Sequence, residues 1–363
     1  MPAKDASPPR VLVTGAGGFI GHHMVHRLKR EGFWVRGVDV KMPQFGPTEA
    51  DEFLLEDLRH FESCALSVDG VRDVYQLAAD MGGIGYITAN HASLSRNNIL
   101  INSNMLEAAR IGKVKRYLYT SSACVYPANL QREAGNRSLS EDAAIPAEPE
   151  KGYGWEKLFA EQLTSYFGEE YGLDVRIVRF HNIYGPLGTF EGGREKAPAA
   201  ISVKVAEAAD GSAIPVWGDG KQTRSFCYID DAVDGLRRIM ESHETRPLNL
   251  GSTELVTVDE LVDMVARVAG KRLEKKHELD RPQGVRGRNS DNTLLRATVG
   301  WEPQIRLEDG LRRTYAWIWD QLRARGSARP PGPPSDKGRP SRVRESAASV
   351  SGTERTATSS KDL

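Results

Sequence analysis

The sequence predicts an α/β fold, a doubly wound parallel sheet with a smaller C-terminal substrate-binding subdomain. Three observations predict it. Short, mainly apolar runs alternate with stretches of helical period. The first of these runs ends in a cluster of glycines. The chain is 363 residues long and 39% hydrophobic, enough to bury a large core.

Taken in order, Val11–Thr14 is the first apolar run, followed by a helical stretch at Gly21–Glu31 and a second run at Trp34–Val40. Asp73–Leu77, Arg116–Thr120 and Val175–Phe180 continue the series, with helical periods at Leu94–Arg110 and Trp155–Tyr171. Strands covered by helices on both faces need no polar side, so mainly apolar runs read as parallel strands. After Phe180 the texture changes. HNIYGPLGTFEGGREKAP is glycine-rich and polar, a long functional loop. Pro215–Trp217, Arg224–Ile229 and Leu248–Leu250 read as later strands, and Ser252–Lys271 and Arg306–Ala324 as helices.

From Ser327 onward the chain has almost no large apolar residues and cannot offset its conformational entropy by burial. The tail reads as disordered. Its seven basic and four acidic residues give it a net +3, which leaves −3 on the folded body of a chain with 49 residues of each sign. That balance argues against a nucleic-acid binder. Three cysteines form no disulfide framework or zinc-finger spacing and suit a reducing cytoplasm. No run approaches the length of a membrane span, and MPAKDASPPR has no signal-peptide core. A soluble, cytoplasmic protein without a metal site is expected.

Thr14-Gly15-Ala16-Gly17-Gly18-Phe19-Ile20-Gly21 follows a strand and opens a helix. Glycines let the backbone approach a pyrophosphate, which then lies at the positive end of the helix. Asp39 follows Gly18 by 21 residues, where a carboxylate would bind ribose hydroxyls and repel a 2′-phosphate. NAD is therefore expected rather than NADP. Gly15, Gly18, Phe19, Ile20, Gly21, Asp39, Asp57, Leu77 and Ala79 are the expected contacts. Residues 1–10 read as a flexible N-terminus and 11–180 as a Rossmann-type NAD-binding domain, with segments near 222–250 returning to it. Residues 181–221 and 251–325 read as the substrate-binding subdomain, and 326–363 as the tail.

Tyr153-Gly154-Trp155-Glu156-Lys157 puts a phenol and an ammonium on one helix face. Lys157, helped by the charge of an oxidised nicotinamide, would lower the phenol's pKa so that it takes a hydroxyl proton. Ser121-Ser122-Ala123-Cys124-Val125-Tyr126 follows an apolar strand some 30 residues earlier, at the strand end where ligands bind. With the glycine loop, these residues resemble the extended short-chain dehydrogenase/reductase family over roughly Val11 to Gln321. That resemblance implies Tyr153 as base, Lys157 as its partner and Ser122 on the reacting hydroxyl.

A narrower resemblance follows from Ala79-Asp80-Met81-Gly82-Gly83, Ser121-Ser122-Ala123-Cys124, His181-Asn182-Ile183-Tyr184-Gly185, Gly192-Gly193-Arg194-Glu195-Lys196-Ala197-Pro198, Gln222-Thr223-Arg224-Ser225-Phe226 and Val285-Arg286-Gly287-Arg288-Asn289-Ser290-Asp291-Asn292. This ordered set is similar to the GDP-mannose 3,5-epimerase family. It implies Cys124 and Lys196 as an acid/base pair that inverts C3 and/or C5 through a transient 4-keto sugar. It also implies Gly82, Gly83, Asn182, Glu195 and Lys204 near the hexose or its phosphates, and Gln222 and Arg224 at the nucleotide end. Arg286 or Arg288 would clamp the diphosphate, spacing leaving the choice open, and Tyr315 would be a late contact. Tyr86 departs from the phenylalanine expected there. The competing readings are an NAD-dependent 4-epimerase or 4,6-dehydratase, neither of which needs the Cys124/Lys196 pair, and a non-catalytic dinucleotide-binding scaffold, which would lack Tyr153 and Lys157. A homodimer paired through Leu94–Arg110 and Trp155–Tyr171 is expected from the resemblance.

Overall fold

The computed structural model describes residues 8–135, 138–281 and 283–330. The expectations for residues 1–7 and for 331–363 lie outside the described residues. In chain order the elements are β1 (Arg10–Thr14), α1 (Phe19–Arg30), β2 (Trp34–Asp39), β3 (Glu52–Leu55), α2 (Phe61–Val68), β4 (Asp73–Gln76), α3 (Ile84–Ala89), α4 (His91–Ile111), β5 (Arg116–Ser122), α5 (Tyr153–Tyr171) and β6 (Asp174–Phe180). There follow β7 (Ile183–Tyr184), α6 (Ala197–Glu207), β8 (Ala213–Trp217), β9 (Thr223–Ser225), β10 (Cys227–Tyr228), α7 (Ile229–Glu241), β11 (Pro247–Leu250) and β12 (Leu255–Thr257). The last are α8 (Val258–Ala269), β13 (Glu274–Glu278), β14 (Gly287–Arg288), α9 (Thr293–Val299) and α10 (Leu307–Ala324).

Seven parallel strands form the central sheet in the order β11-β6-β5-β4-β1-β2-β3. Neighbouring side chains explain the mainly apolar runs. In β1, Val11 and Val13 join the core under α1 and α7, while Leu12 joins the opposite core under α2, α4 and α5. The inner strands are buried on both faces, so they need no polar alternation. The strand order reverses between β1 and β4, which opens a crevice at their carboxyl ends. The glycine loop, Asp39 and the end of β5 all lie along that edge of the sheet.

Two sequence assignments change in the later half. Arg224–Ile229 is not one strand. β9 pairs with β12 and β14, β10 pairs with β7, and Ile229 already begins α7. Asn182 forces the break: at φ 49° its amide donates to Ser225 O at 2.9 Å, while its own carbonyl accepts from Cys227 N at 3.2 Å. The helical pattern read from Ser252 begins only at Val258, where Thr257 and Glu260 close a reciprocal capping box after β12. Short elements escaped periodicity. β3 is a four-residue, half-exposed edge strand, and α6 starts inside the polar GREKAP run with Pro198 in its first turn.

Candidate active site

The first βα turn is built by close contact. A Cβ on Gly15 would lie 3.1 Å from Ala78 Cα, and one on Gly21 would lie 2.1 Å from Gly15 O. Gly17 is equally constrained, with Lys41 O at 2.0 Å from its would-be Cβ. Thr14 fixes the neighbouring strand end: its hydroxyl donates to Gln76 Oε1 at 2.6 Å and accepts from Leu77 and Ala78 N–H at 2.9 Å each. Gly18 precedes α1 and no side chain caps that helix. Its first N–H groups therefore face the crevice, where they suit an anion.

Asp39 sits at the end of β2 and accepts from Gly17 N at 3.1 Å and Lys41 N at 3.2 Å. Burial pushes its carboxyl pKa up against those hydrogen bonds. Phe19, Ile20, Leu77 and Ala79 are half-buried, the first three packed against the main core. This cradle fits the expected dinucleotide: the glycines allow the tight packing of the turn on itself, and no side chain caps the helix that follows it. Asp57 stands at the next strand end in a tight pair with Arg59, whose hydrogen bonds lower its pKa.

At the end of β5 the chain enters a 3₁₀ turn over Ala123–Val125, with the Ser122 hydroxyl accepting from Cys124 N at 3.2 Å. The first turn of α5 presses against it. A Cβ on Gly154 would lie 2.3 Å from Cys124 O, so glycine is what lets Tyr153 and Cys124 share one apolar cluster with Ile87 and Leu94. Lys157, fully buried, donates to Thr120 O at 3.1 Å and stands 5.6 Å from the Tyr153 ring centroid. From the sequence, a lowered phenol pKa is expected. The protein's own charges do the reverse: burial first, then Glu156 and Cys124, push Tyr153 well above the tyrosine range, and a hydrogen bond with Ser122 only partly opposes them.

Three further segments converge on Cys124. Arg288 on β14 donates from Nη1 to the sulfur at 3.4 Å, and its Nη2 lies 3.9 Å from Glu150 Oε2. Arg224 on β9 and Lys196, immediately before α6, are close enough to feel the thiol's charge. Burial raises the Cys124 pKa, Arg288 opposes it and Glu150 adds to it. For Lys196, burial lowers the ammonium pKa and Cys124 opposes the shift. The buried Arg288 guanidinium presses on the charge of Arg224, a setting that an anion would relieve.

The loop carrying Lys196 is clamped over this group. Gly83 N donates to Arg194 O at 3.1 Å, and a Cβ on Gly83 would lie 2.5 Å from Glu195 O. The Arg194 guanidinium stacks 3.8 Å from the Tyr86 centroid, and Tyr86 donates to Asp80 Oδ1 at 2.8 Å. Arg194 Nη1 is 3.7 Å from the same carboxylate. Gly82 packs on the Tyr86 ring, 2.8 Å from its Cβ were a side chain present. Sequence reading missed Asp80, Glu150 and Arg194 as participants. The first and last lie inside quoted motifs, but no spacing rule links Asp80 to a residue 114 positions later.

The nucleotide-end candidates divide. Gln222 Oε1 and Glu195 Oε2 are buried without a partner among the described residues, which marks both as polar groups able to receive a ligand. Arg224 is held by the carbonyls of Thr223, Gln283 and Val285. Arg286 instead faces outward and pairs with Asp219 at 2.7 Å. Lys204 donates to Pro215 O at 2.9 Å beside Trp217. Tyr315 is fully buried on α10 in the main core, near Trp319, and its hydroxyl is likewise without a partner among the described residues.

A family model described as NAD dependent epimerase/dehydratase family matches residues 11–251. GDP-mannose 3,5-epimerase of Arabidopsis thaliana is 48% identical over 323 residues, covering 88% of this chain and 85% of that protein. GDP-mannose 3,5-epimerase 1 of Oryza sativa subsp. japonica is 47% identical over 315 residues, covering 86% and 82%. Among solved structures, UDP-glucose 4-epimerase of Thermus thermophilus in complex with NAD superposes with a TM-score of 0.75. It is 25% identical, and the match covers 85% of this chain and 98% of that one.

Proposed function

We propose, from the premise that this chain belongs to the NAD-dependent epimerase/dehydratase family, that it inverts C3 and/or C5 of GDP-mannose, giving GDP-L-galactose and/or GDP-L-gulose. The observation that carries this reading is Cys124 packed in one cluster with Tyr153, within electrostatic reach of Lys196, in a chain 48% identical to a protein of that activity. A simple 4-epimerase needs Tyr153 and Lys157 but no thiol–amine pair. That difference favours the 3,5-epimerase over the runner-up.

Bound NAD supplies the hydride acceptor, and later the donor, for the sugar's C4. The crevice residues around Gly15, Gly18 and Asp39 hold the cofactor. Tyr153 takes the C4 hydroxyl proton, while Ser122 holds that oxygen. Lys157, anchored to Thr120 O, is the cation held beside the phenol, and the Ser122 hydrogen bond opposes the burial that raises its pKa. The resulting 4-keto group acidifies the C3 and C5 protons by permitting an enolate. Inversion then needs one group to take a proton from one face and a second to return one to the other. Lys196, its ammonium destabilised by burial, suits the taking role; Cys124, its thiol kept protonated by burial, suits the giving role. Arg224 and Arg288 face the diphosphate, and Gln222 and Glu195 present their open oxygens to the guanosine end and the hexose.

The protein works as a homodimer. Trp155, Phe159 and Tyr166 on α5 and Ile99 on α4 leave large apolar side chains exposed along the two expected helices, a face that favours self-association. No helix among the described residues is long and apolar enough to cross a membrane, and three free cysteines accord with a cytoplasmic location.

Incubation with GDP-mannose in heavy water, followed by NMR, tests the activity. Deuterium at C3 or C5 together with inverted product is expected. A protein that exchanges neither proton, on this or any other GDP-hexose, is not this enzyme. Heat release of NADP instead of NAD would overturn the role given to Asp39.

A further inference from the structure

We propose that Gln131 is the positioning residue that turns the Arg288 guanidinium onto the Cys124 thiol and thereby sets how readily that thiol yields its proton. This rests on Cys124 as an acid/base group, the reading given above. Gln131 is 1% exposed and closes a 3₁₀ turn over Ala128–Gln131, directly after the Cys124 turn. Its amide NH₂ donates to Tyr126 O at 3.0 Å and to Pro127 O at 3.2 Å. Its Oε1 accepts from Arg288 Nε at 2.6 Å, and its backbone carbonyl accepts from Arg286 N at 2.9 Å.

Those contacts leave one orientation. Turning the amide over would place its oxygen against two carbonyl oxygens and its NH₂ against the guanidinium. The guanidinium is a rigid planar fork, so a partner fixed on Nε aims the far edge. That edge carries Nη1 to Cys124 Sγ at 3.4 Å and Nη2 toward Glu150 Oε2 at 3.9 Å. The charged and titratable groups around the thiol are Arg288 on β14, Arg224 on β9, Glu150, Tyr153 and Lys157 at or on α5, and Lys196 before α6. Arg288 is the cation that donates a hydrogen bond to the sulfur, while hydrogen bonds with Ser122 and Glu150 push the thiol down and up respectively. Gln131 touches the thiol only through Arg288.

The test is the pH dependence of iodoacetamide alkylation at Cys124 in the purified holoenzyme, read by peptide mass spectrometry. Cys64 and Cys227, both buried, serve as internal references. Gln131→Met removes the acceptor for Nε and is expected to move the Cys124 midpoint up by about one pH unit, an about tenfold slower reaction below it. Gln131→Glu keeps an acceptor for Nε but sets a second oxygen against the Tyr126 and Pro127 carbonyls and adds negative charge beside Arg288, so its midpoint is also expected to lie above the wild-type value. Where the Met variant does not fold, Gln131→Asn draws the amide back by one methylene and is held to the same upward shift. An unchanged midpoint in a folded Met or Asn variant overturns the proposal. Because alkylation needs no sugar, a shifted midpoint in a protein inert toward GDP-mannose would sink the activity assignment and leave the role of Gln131 standing.

Discussion

The Arg288 guanidinium meets the Cys124 sulfur at 3.4 Å across 164 residues of sequence. Arg286, two residues earlier, points the other way and pairs with Asp219 at the surface. The two arginines that spacing could not separate are thus distinguished by burial. Arg288→Ala is expected to lower kcat/KM at least tenfold, since it strips a charge-assisted contact from a buried group. Arg286→Ala breaks an exposed pair worth about 0–1 kcal/mol and is expected to cost only a few-fold. Equal losses in steady-state kinetics would contradict this division.

Cys124→Ala separates the two halves of the reaction. Tyr153, Lys157 and Ser122 remain, so C4 oxidation should persist as a rise in reduced-nicotinamide absorbance on adding substrate. Inversion at C3 and C5 should fall by about 10²–10⁴-fold, the usual worth of a positioned acid or base. Undiminished inversion by NMR would remove Cys124 from the chemistry.

The pKa directions fix the sign of a pH profile. Burial lowers the Lys196 pKa, so its neutral form grows as pH rises through a value below the ordinary lysine range. Burial raises the Cys124 pKa, so its protonated form is lost only above the ordinary thiol range. The rate of inversion should therefore climb from acid pH and decline only at alkaline pH. Lys196→Ala should remove the amine-dependent part of the rise, and Cys124→Ser should shift the alkaline decline upward. Identical profiles in both variants would show that neither group sets a limb.

The Tyr86–Arg194 stack should matter through the ring more than through the hydroxyl. Tyr86→Phe keeps the cation–π contact, worth about 0.5–1 kcal/mol at an exposed site, and loses the hydrogen bond to Asp80. A change of a few-fold in KM is expected for Phe and a clearly larger one for Ala. Arg194 is held at both its backbone and its side chain, so Tyr86→Ala should also loosen the loop that presents Lys196. Faster loop hydrogen exchange would report that; indistinguishable exchange would argue against a clamp.

The exposed face of α4 and α5 predicts the assembly. Trp155→Glu with Phe159→Glu puts charge on that face without touching Tyr153 or Lys157. Analytical ultracentrifugation should show a dimer for the wild type and a monomer for the double variant. An unchanged sedimentation profile would place the interface elsewhere.

Much of the central sheet was legible because its signal is local. Val11–Thr14, Trp34–Val40 and Val175–Phe180 are mainly apolar, their interior charges Arg36, Arg176 and Arg179 being buried and paired, as strands covered on two faces require. The glycine loop was legible for a different reason. Would-be Cβ contacts as short as 2.1 Å at Gly21 exclude every other residue, so the physical demand is written directly as residue type. Arg224–Ile229 misled because its β-type composition says nothing of which strands it pairs with. Asn182, distant in sequence, splits it.

The sequence by itself determined the parallel sheet, the dinucleotide crevice and the chemical types held at the strand ends, because strand burial and backbone approach constrain neighbouring residues. Only the tertiary structure decided how those types act together. It put Arg288 rather than Arg286 on the thiol, hung that contact on Gln131, and placed Tyr315 in the core. It also showed burial, Glu156 and Cys124 pushing the Tyr153 pKa up, with a Ser122 hydrogen bond opposing them. Desolvation and the aim of a charged group depend on everything packed around them, and that surrounding is assembled from residues far apart in the chain.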